Sequence, residues 1–265
     1  MAGVCGQRPC LATEKCVPDK DGFHCSTVCE SVPTIDNGFV ALDKAGKMSF
    51  MDTATVKCHD TYGPDKPSIK CQASGLWETV SCEKITDCKD LHRSFPSLPS
   101  GVYEVELWRS SRSLPVYCDM DTGGGGWTVF QSRFDGSVEF YKTFSDYEYG
   151  FGNLETEFWL GLRYVREMAY QGQTELRLDL TAADGTDAYE TFQNFYLDSS
   201  VYTLHIDPGT GTAGDNDLYG LLNHNGQRFT THDVDRDSHL TVNCANVERG
   251  GWWYNDCGDV NLNGD

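Results

Sequence analysis

Twelve cysteines in 265 residues, eight of them at or before Cys82, constrain this chain more than any other feature. A short segment so dense in cysteine buries too little apolar surface to stand on a core alone. Cross-links that restrict the unfolded state are the expected source of its stability. The even count points to an oxidising compartment. Zinc is a poor match, because no Cys-x-x-Cys pair occurs and His24, His59 and His92 are scattered. A chain with every thiol bridged also offers no cysteine nucleophile. Small bridge-dependent units ahead of a larger domain are therefore expected.

Charge is as uneven as cysteine. The net charge of −19 falls mostly after residue 83, where 13 basic and 29 acidic side chains leave the downstream part near −16. Such a surface repels phosphate backbones and anionic lipid and tolerates cations, so nucleic acid is excluded as a partner. No run of about 18 apolar residues exists, which excludes membrane insertion. Met1-Ala-Gly-Val-Cys5 has neither a basic nor an apolar leader region, so a signal peptide is absent from a chain whose cysteines read as exported. The expectation is a fragment, or a mature form with an added Met. No Asn-x-Ser/Thr acceptor occurs.

From Asp87-Cys88 onward the sequence turns rich in Gly and aromatics. Gly101–Val105 and Pro115–Cys118 read as strands, and Gly123–Gly126 reads as a tight turn into Trp127–Phe130. No helix start follows those glycines, so close backbone approach explains them better than phosphate binding. Phe158–Leu162, continued by Val165 and Ala169, has helical spacing, whereas Glu175–Leu180 and Tyr202–Ile206 alternate with period two. This irregular order predicts an α+β domain with an antiparallel sheet, not a doubly wound one.

The candidate site lies near the carboxyl end. Asp233, Asp235 and Asp237 place carboxylates at alternate positions, followed by Cys244, Trp252-Trp253 and Cys257. Converging carboxylate oxygens suit a hard cation such as Ca²⁺. An EF-hand is excluded, since Ser238 and Cys244 stand where that loop needs Gly and Glu. Backbone carbonyls after Asp237 would have to complete the shell, with Cys244 and Cys257 available as a brace.

Three family resemblances organise the chain. Cys5, Cys10, Cys16 and Cys25 around Asp21-Gly22-Phe23 resemble a partial epidermal-growth-factor-like module over 1–28, which implies bridges Cys5–Cys16 and Cys10–Cys25. Cys29, Cys58, Cys71 and Cys82 admit three pairings. With Asn37-Gly38 and Gly75-Leu-Trp77 between them, they resemble a sushi (complement-control) module over 29–83. That likeness implies Cys29–Cys71 and Cys58–Cys82 around a core Trp77. Residues 84–265 resemble the fibrinogen carboxy-terminal domain of ficolins, tachylectins, tenascins and angiopoietins. The resemblance rests on Pro115–Gly136, Phe158–Leu162, Gly211–Asp215, Asn243-Cys-Ala245, Gly250–Tyr254 and Asn261–Gly264. It implies bridges Cys88–Cys118 and Cys244–Cys257, and a domain expected to be incomplete at its carboxyl end.

Carried onto this chain, the family's calcium site falls on the carboxylates of Asp235 and Asp237 and on main-chain carbonyls near His239 and Thr241, with Asp233 as a flanking acid. The adjoining ligand pocket implies Glu248, Asp256, Cys257 and Gly258, with a cis peptide from Asp256 to Cys257. Acetyl-binding relatives place a His after that cysteine and an aromatic four residues past the first. Gly258 and Glu248 stand there instead, removing a donor ring and an apolar wall. Glu248, Asp256 and Asp259 could supply an acid and a base, but nothing in the sequence fixes their separation, so no enzymatic activity is expected. The expected function is a secreted, calcium-dependent recognition protein of innate immunity that binds an extracellular glycan or microbial surface ligand. The alternative is an adhesion or receptor-ligand protein of the angiopoietin or tenascin kind with a protein receptor as partner. Self-association into a homo-oligomer fits either.

Overall fold

A computed structural model describes residues 10–11, 14–29, 31–46, 48–215, 220–258 and 260–264. The chain divides into two compact units, one formed by residues up to Pro99 together with Met120–Trp127, the other by Ser100–Asp119 and Thr128 onward.

The first unit is built of short antiparallel strands stapled by cysteines. Glu14–Asp19 pairs with Gly22–Cys29 through a turn at Lys20-Asp21, and the end of the second strand continues against Met48–Ser49. A second sheet places Thr53–Cys58 between Gly38–Leu42 and Ser68–Lys70. Period-two alternation turns Val40, Ala54, Val56 and Ile69 inward, while Phe39 faces out. These residues form one core with Met48, Trp77, Cys29, Cys71 and Cys82. The bridges Cys10–Cys25, Cys29–Cys71 and Cys58–Cys82 are present. Cys16 is also disulfide-bonded, whereas the expected Cys5–Cys16 pairing lies outside the described residues because Cys5 is not among them.

Helix α1 (Cys88–Ser94) starts at Asp87, whose carboxylate accepts the Asp90 N–H. The glycine turn lies against it: Gly126 has φ +83, and a Cβ there would press on Lys89 and His92 at 3.2 Å. A Cβ on Gly125 (φ +74) would run into the Met120 carbonyl. The glycines thus permit close approach of chain to helix.

The second unit combines the hairpin Gly101–Glu106/Ser113–Asp119 with a sheet that sets Phe158–Trp159 between Gln131–Ser132 and Phe151–Gly152. A further sheet orders Leu176–Thr181, Asp187–Phe192 and Thr210–Gly211. Its helices are short: α2 (Phe144–Tyr149), opened by a Thr143/Asp146 capping box, α3 (Leu162–Ala169) and α4 (Cys244–Val247). Antiparallel sheets with a few short helices agree with the α+β reading. The helical pattern from Phe158, however, is two elements. Phe158–Trp159 is a strand, and Gly161 at φ +116 separates it from α3, since a Cβ there would meet Glu148 and Tyr149 backbone at about 3 Å. The strand expected over 202–206 begins at Thr203, because Tyr202 turns the chain at φ +53.

One carboxylate organises the 134–138 loop. Glu157, fully buried, accepts the N–H groups of Phe134, Asp135 and Gly136 on Oε1 and of Val138 on Oε2, at 2.6–3.0 Å. Burial alone would raise its pKa, but the four backbone donors outweigh it and hold the carboxyl at about 2. The folded value lies below the ordinary 4.5, so this contribution is complete above pH 4.5 and is lost as pH falls through 2. Its size is about 3 kcal/mol. Glu157→Gln is expected to lower the urea-derived stability by about 2–3 kcal/mol at pH 7 and to flatten its pH dependence between pH 5 and 2. An unchanged acid limb in the variant would show that the loop is held otherwise.

Candidate functional site

The site is positioned by an aromatic knot. Tyr147 of α2, Trp159, Phe229 and Trp253 pack with ring centroids 5.0–6.3 Å apart, mostly edge-on or tilted. Each polar tip is used. Tyr147 Oη donates to the Phe140 carbonyl at 2.6 Å and accepts the Gly251 N–H at 3.1 Å. Trp159 Nε1 donates to Tyr147 O at 2.9 Å, and Trp253 Nε1 to Tyr202 O at 2.7 Å. Gly251 has no room for a side chain, as a Cβ would lie 2.6 Å from the Tyr147 ring. Thr230 and Trp252 exchange backbone hydrogen bonds of 2.9 and 3.0 Å, which carries the knot into the acidic loop.

Within that loop the three aspartates do different work. Asp233 is structural: its Oδ1 accepts the Phe144 N–H at 2.9 Å, at the start of α2, and the Thr231 hydroxyl at 2.8 Å. Asp237 is half-buried, accepting the His239 N–H on one oxygen (3.0 Å) and the Cys244 N–H on the other (2.8 Å). Burial, followed by the neighbouring Asp235 carboxylate, raises its pKa against those two donors. Asp235 itself is exposed. The His239 ring turns back on its own loop, its Nδ1 accepting the Thr241 and Val242 N–H groups at 3.2 and 3.1 Å. Its Nε2 lies 3.7 Å from Asp256 Oδ1. Leu240 is 96% exposed at the loop tip.

The expected brace Cys244–Cys257 is in place, and Ser238 N–H donates to Asn255 O at 2.9 Å. Among the described residues the one cluster of three potential metal ligands is Cys10, Glu14 and Cys25, whose cysteines are bridged to each other. Any ion at Asp235 and Asp237 must accordingly draw on carbonyl oxygens, as an oxygen-only shell allows.

The four residues expected in the ligand pocket come from two segments joined by the Cys244–Cys257 bridge. Glu248 ends α4, its N–H bonded to Cys244 O and its carbonyl accepting Asn261 Nδ2 at 2.9 Å. Asp256 is exposed, with Oδ1 3.7 Å from His239 Nε2. The cis peptide before Cys257 is not found: no cis bond occurs among the described residues, and Cys257 redirects the chain with φ +51 instead. Gly258 lies against a ring that sequence reasoning missed. A Cβ there would be 3.4 Å from Cε1 of His224, which is fully buried and donates from Nδ1 to Trp253 O at 2.7 Å. Asp259 lies outside the described residues. His224 comes from a separate short helical turn, Leu221–His224, and no local motif announces it.

Residues 84–265 match the model of the C-terminal globular domain of fibrinogen beta and gamma chains. The chain belongs to this family. Human Ficolin-3 is 44% identical over 181 residues, 67% of this chain and 58% of that protein. Human Angiopoietin-2 is 38% identical over 180 residues, covering 67% and 35% respectively. The chain thus spans little more than half of one curated relative and about a third of the other. The fibrinogen-like globe domain of human ANGPTL6 superposes with a TM-score of 0.63 at 39% identity, covering 68% of this chain and 79% of that one. A lamprey fibrin D-dimer bound to a Gly-His-Arg-Pro-amide peptide gives 0.63 at 31% identity, covering 68% and 60%. No helix is long and apolar enough to cross a membrane among the described residues of this fibrinogen-family chain.

The knot yields a direct prediction. Tyr147→Phe keeps the ring but deprives the Gly251 N–H and the Phe140 carbonyl of their partner, both without access to water. It is expected to cost about 1–3 kcal/mol of unfolding free energy in urea, with the near-ultraviolet circular dichroism retained. A stability equal to wild type would mean that the hydroxyl does not join α2 to the Gly251 segment.

Proposed function

We propose that this chain is an extracellular, calcium-dependent recognition protein. Its fibrinogen-type domain holds Ca²⁺ in the Asp235–Thr241 loop and binds glycan or microbial surface ligands beside the Cys244–Cys257 bridge. The observation that carries the reading is the pairing of Asp235 with Asp237. Two interacting carboxylates stand together, one half-buried and oriented by two backbone N–H donors, with no cationic side chain bridging them among the described residues. That donor set fits a hard divalent ion, supplemented by carbonyls near His239 and Thr241. When bound, the ion supplies charge neutralisation. The chain's own residues then keep the loop closed: Asp237 ties its two ends at His239 and Cys244, and the disulfide fixes Cys244 against Cys257.

The units before residue 84 fit the role of bridge-stabilised spacer modules, EGF-like and then sushi-like. The cysteine usage supports a secreted protein. A binding role fits better than hydrolysis, because Glu248 and Asp256 are held by different segments with different partners.

A second reading is favoured by one specific feature. Leu240, Val242 and Val247 expose apolar surface around the same loop, which suits docking on a protein receptor, as in an adhesion or receptor-ligand protein. Acetylated-glycan binding that disappears with EDTA supports the first reading, and glycan silence with saturable cell-receptor binding supports the second.

Calcium at about 100 times its Kd is expected to stabilise the domain by about 2.7 kcal/mol, a melting-temperature rise of about 5–10 °C. Asp235→Ala combined with Asp237→Ala should abolish that rise. A wild-type protein whose melting is indifferent to EDTA would overturn the calcium site.

A further inference from the structure

Away from the acidic loop, the second unit contains a cavity of about 490 Å³, within the size range of small-ligand sites. Its wall is unlike the rest of this acidic chain. Arg163 and Arg166 project from α3, one helical turn apart on the face opposite its buried Leu162, Val165 and Ala169, and Arg109 comes from the loop between two strands. None of the three makes an ion pair within 4.0 Å among the described residues. The cavity also holds two carboxylates, and neither comes within ion-pair distance of these guanidiniums. Glu167 is occupied by the N–H groups of Arg109 and Ser110 at 3.1 and 2.7 Å, and Glu148 accepts the Tyr202 hydroxyl at 2.7 Å. Those donors are neutral and both acids keep their charge, but the three arginines of the wall outnumber its two carboxylates and stand apart from them.

The remaining wall is aromatic and exposed: Trp108, Tyr149 and Tyr170 are 44%, 54% and 45% accessible. Their positions are fixed. Trp108 Nε1 donates to the Glu167 carbonyl at 2.8 Å, and the Tyr170 hydroxyl donates to Asp198 at 3.3 Å. Arg163 lies 4.9 Å over the Tyr149 ring and Arg166 6.0 Å over Tyr170, within cation–π range. At the cavity's base Tyr202 keeps a left-handed φ of +53, a strain that persists because its hydroxyl is held by Glu148 and its carbonyl by Trp253.

The geometry points to a second ligand site in this cup, for a saccharide bearing a single carboxylate: ring faces against Trp108 and the tyrosines, carboxylate between Arg163 and Arg166. Planar guanidiniums match carboxylate geometry bidentately. Exposed aromatic faces supply the apolar contact that a pyranose ring needs. The net charge of −19 selects against polyanions, which feel the whole field on approach, whereas one carboxylate inside the cup is governed by charges within a Debye length of about 8 Å. No acidic-loop residue takes part, so the site is independent of calcium.

The test uses the full chain and D-glucuronate as probe, followed by saturation-transfer NMR and titration, with D-glucose, acetate and heparin as comparisons. Glucuronate is expected to bind at least tenfold more tightly than glucose or acetate, equally in calcium and in EDTA. Arg163→Gln with Arg166→Gln should weaken it at least tenfold, and Trp108→Ala at least threefold. Because these side chains are at the surface, an unchanged circular dichroism spectrum checks each fold. Equal binding of glucose shows that the arginines do not select the ligand and overturns the proposal. So does equal binding of acetate, binding of heparin alone, unaltered affinity in the double arginine variant, or no saturation transfer to glucuronate. Loss of binding in EDTA would assign the sugar to the calcium loop and equally overturn it. An EDTA-indifferent melting curve, by contrast, would refute only the calcium site.

Discussion

The second unit depends on one buried phenol. Tyr147 occupies the centre of the aromatic knot, and its hydroxyl joins a carbonyl before α2 to an amide more than a hundred residues later in the chain. Without that link, α2, the Phe158–Trp159 strand and the Gly251–Tyr254 segment would share only non-directional apolar contact. Edge-on aromatic packing adds direction, and each indole N–H in the knot has a backbone acceptor, so burying these large rings leaves no polar group unpaid within it. The acidic loop inherits its position from this arrangement through the Thr230–Trp252 bridge.

The two units solve the stability problem in opposite ways. The first has a modest core around Trp77, Met48 and Ile69 and relies on bridges across sequence separations of 42 and 24 residues, where each cross-link restricts the unfolded chain. In the second, the Cys244–Cys257 bridge serves local geometry more than global stability. It ties the end of the acidic loop to the segment leading from the knot. Asp237 reinforces the same closure by accepting the Cys244 N–H, so a covalent and a hydrogen-bonded clasp act on neighbouring atoms.

Some of this was legible in the residues. Alternating strands such as Leu176–Thr181 follow from period two, and the Gly125-Gly126 contact with α1 follows from glycines that precede no helix. The acidic loop, with aspartates at alternate positions, is read directly from the chain. Phe158–Trp159 misled because its apolar residues continue the phase of α3, and only the φ of Gly161 separates strand from helix. His224 was invisible because its contact with Gly258 is made across the fold. The arginine cup was hidden for a related reason: hydrophobic periodicity reports the buried face of α3, while Arg163 and Arg166 gain meaning only from Trp108 on a distant hairpin loop. Pattern reading finds what faces the core and misses what converges outside it.

Electrostatics gives the two candidate sites their separate characters. A domain near −16 draws cations from a distance, and in the Asp235/Asp237 pair the long-range field and the local donors act in the same sense. At the cup they oppose each other: three guanidiniums stand on a surface that repels anions. A local site can prevail where its guanidiniums outnumber its carboxylates and stand apart from them. Glu148 and Glu167 turn to a tyrosine hydroxyl and to backbone amides, outside ion-pair distance of the three arginines. The hydroxyl that holds Glu148 belongs to Tyr202, whose carbonyl accepts from Trp253 of the aromatic knot. The packing that positions the acidic loop thereby also fixes one of the two acids of the cup.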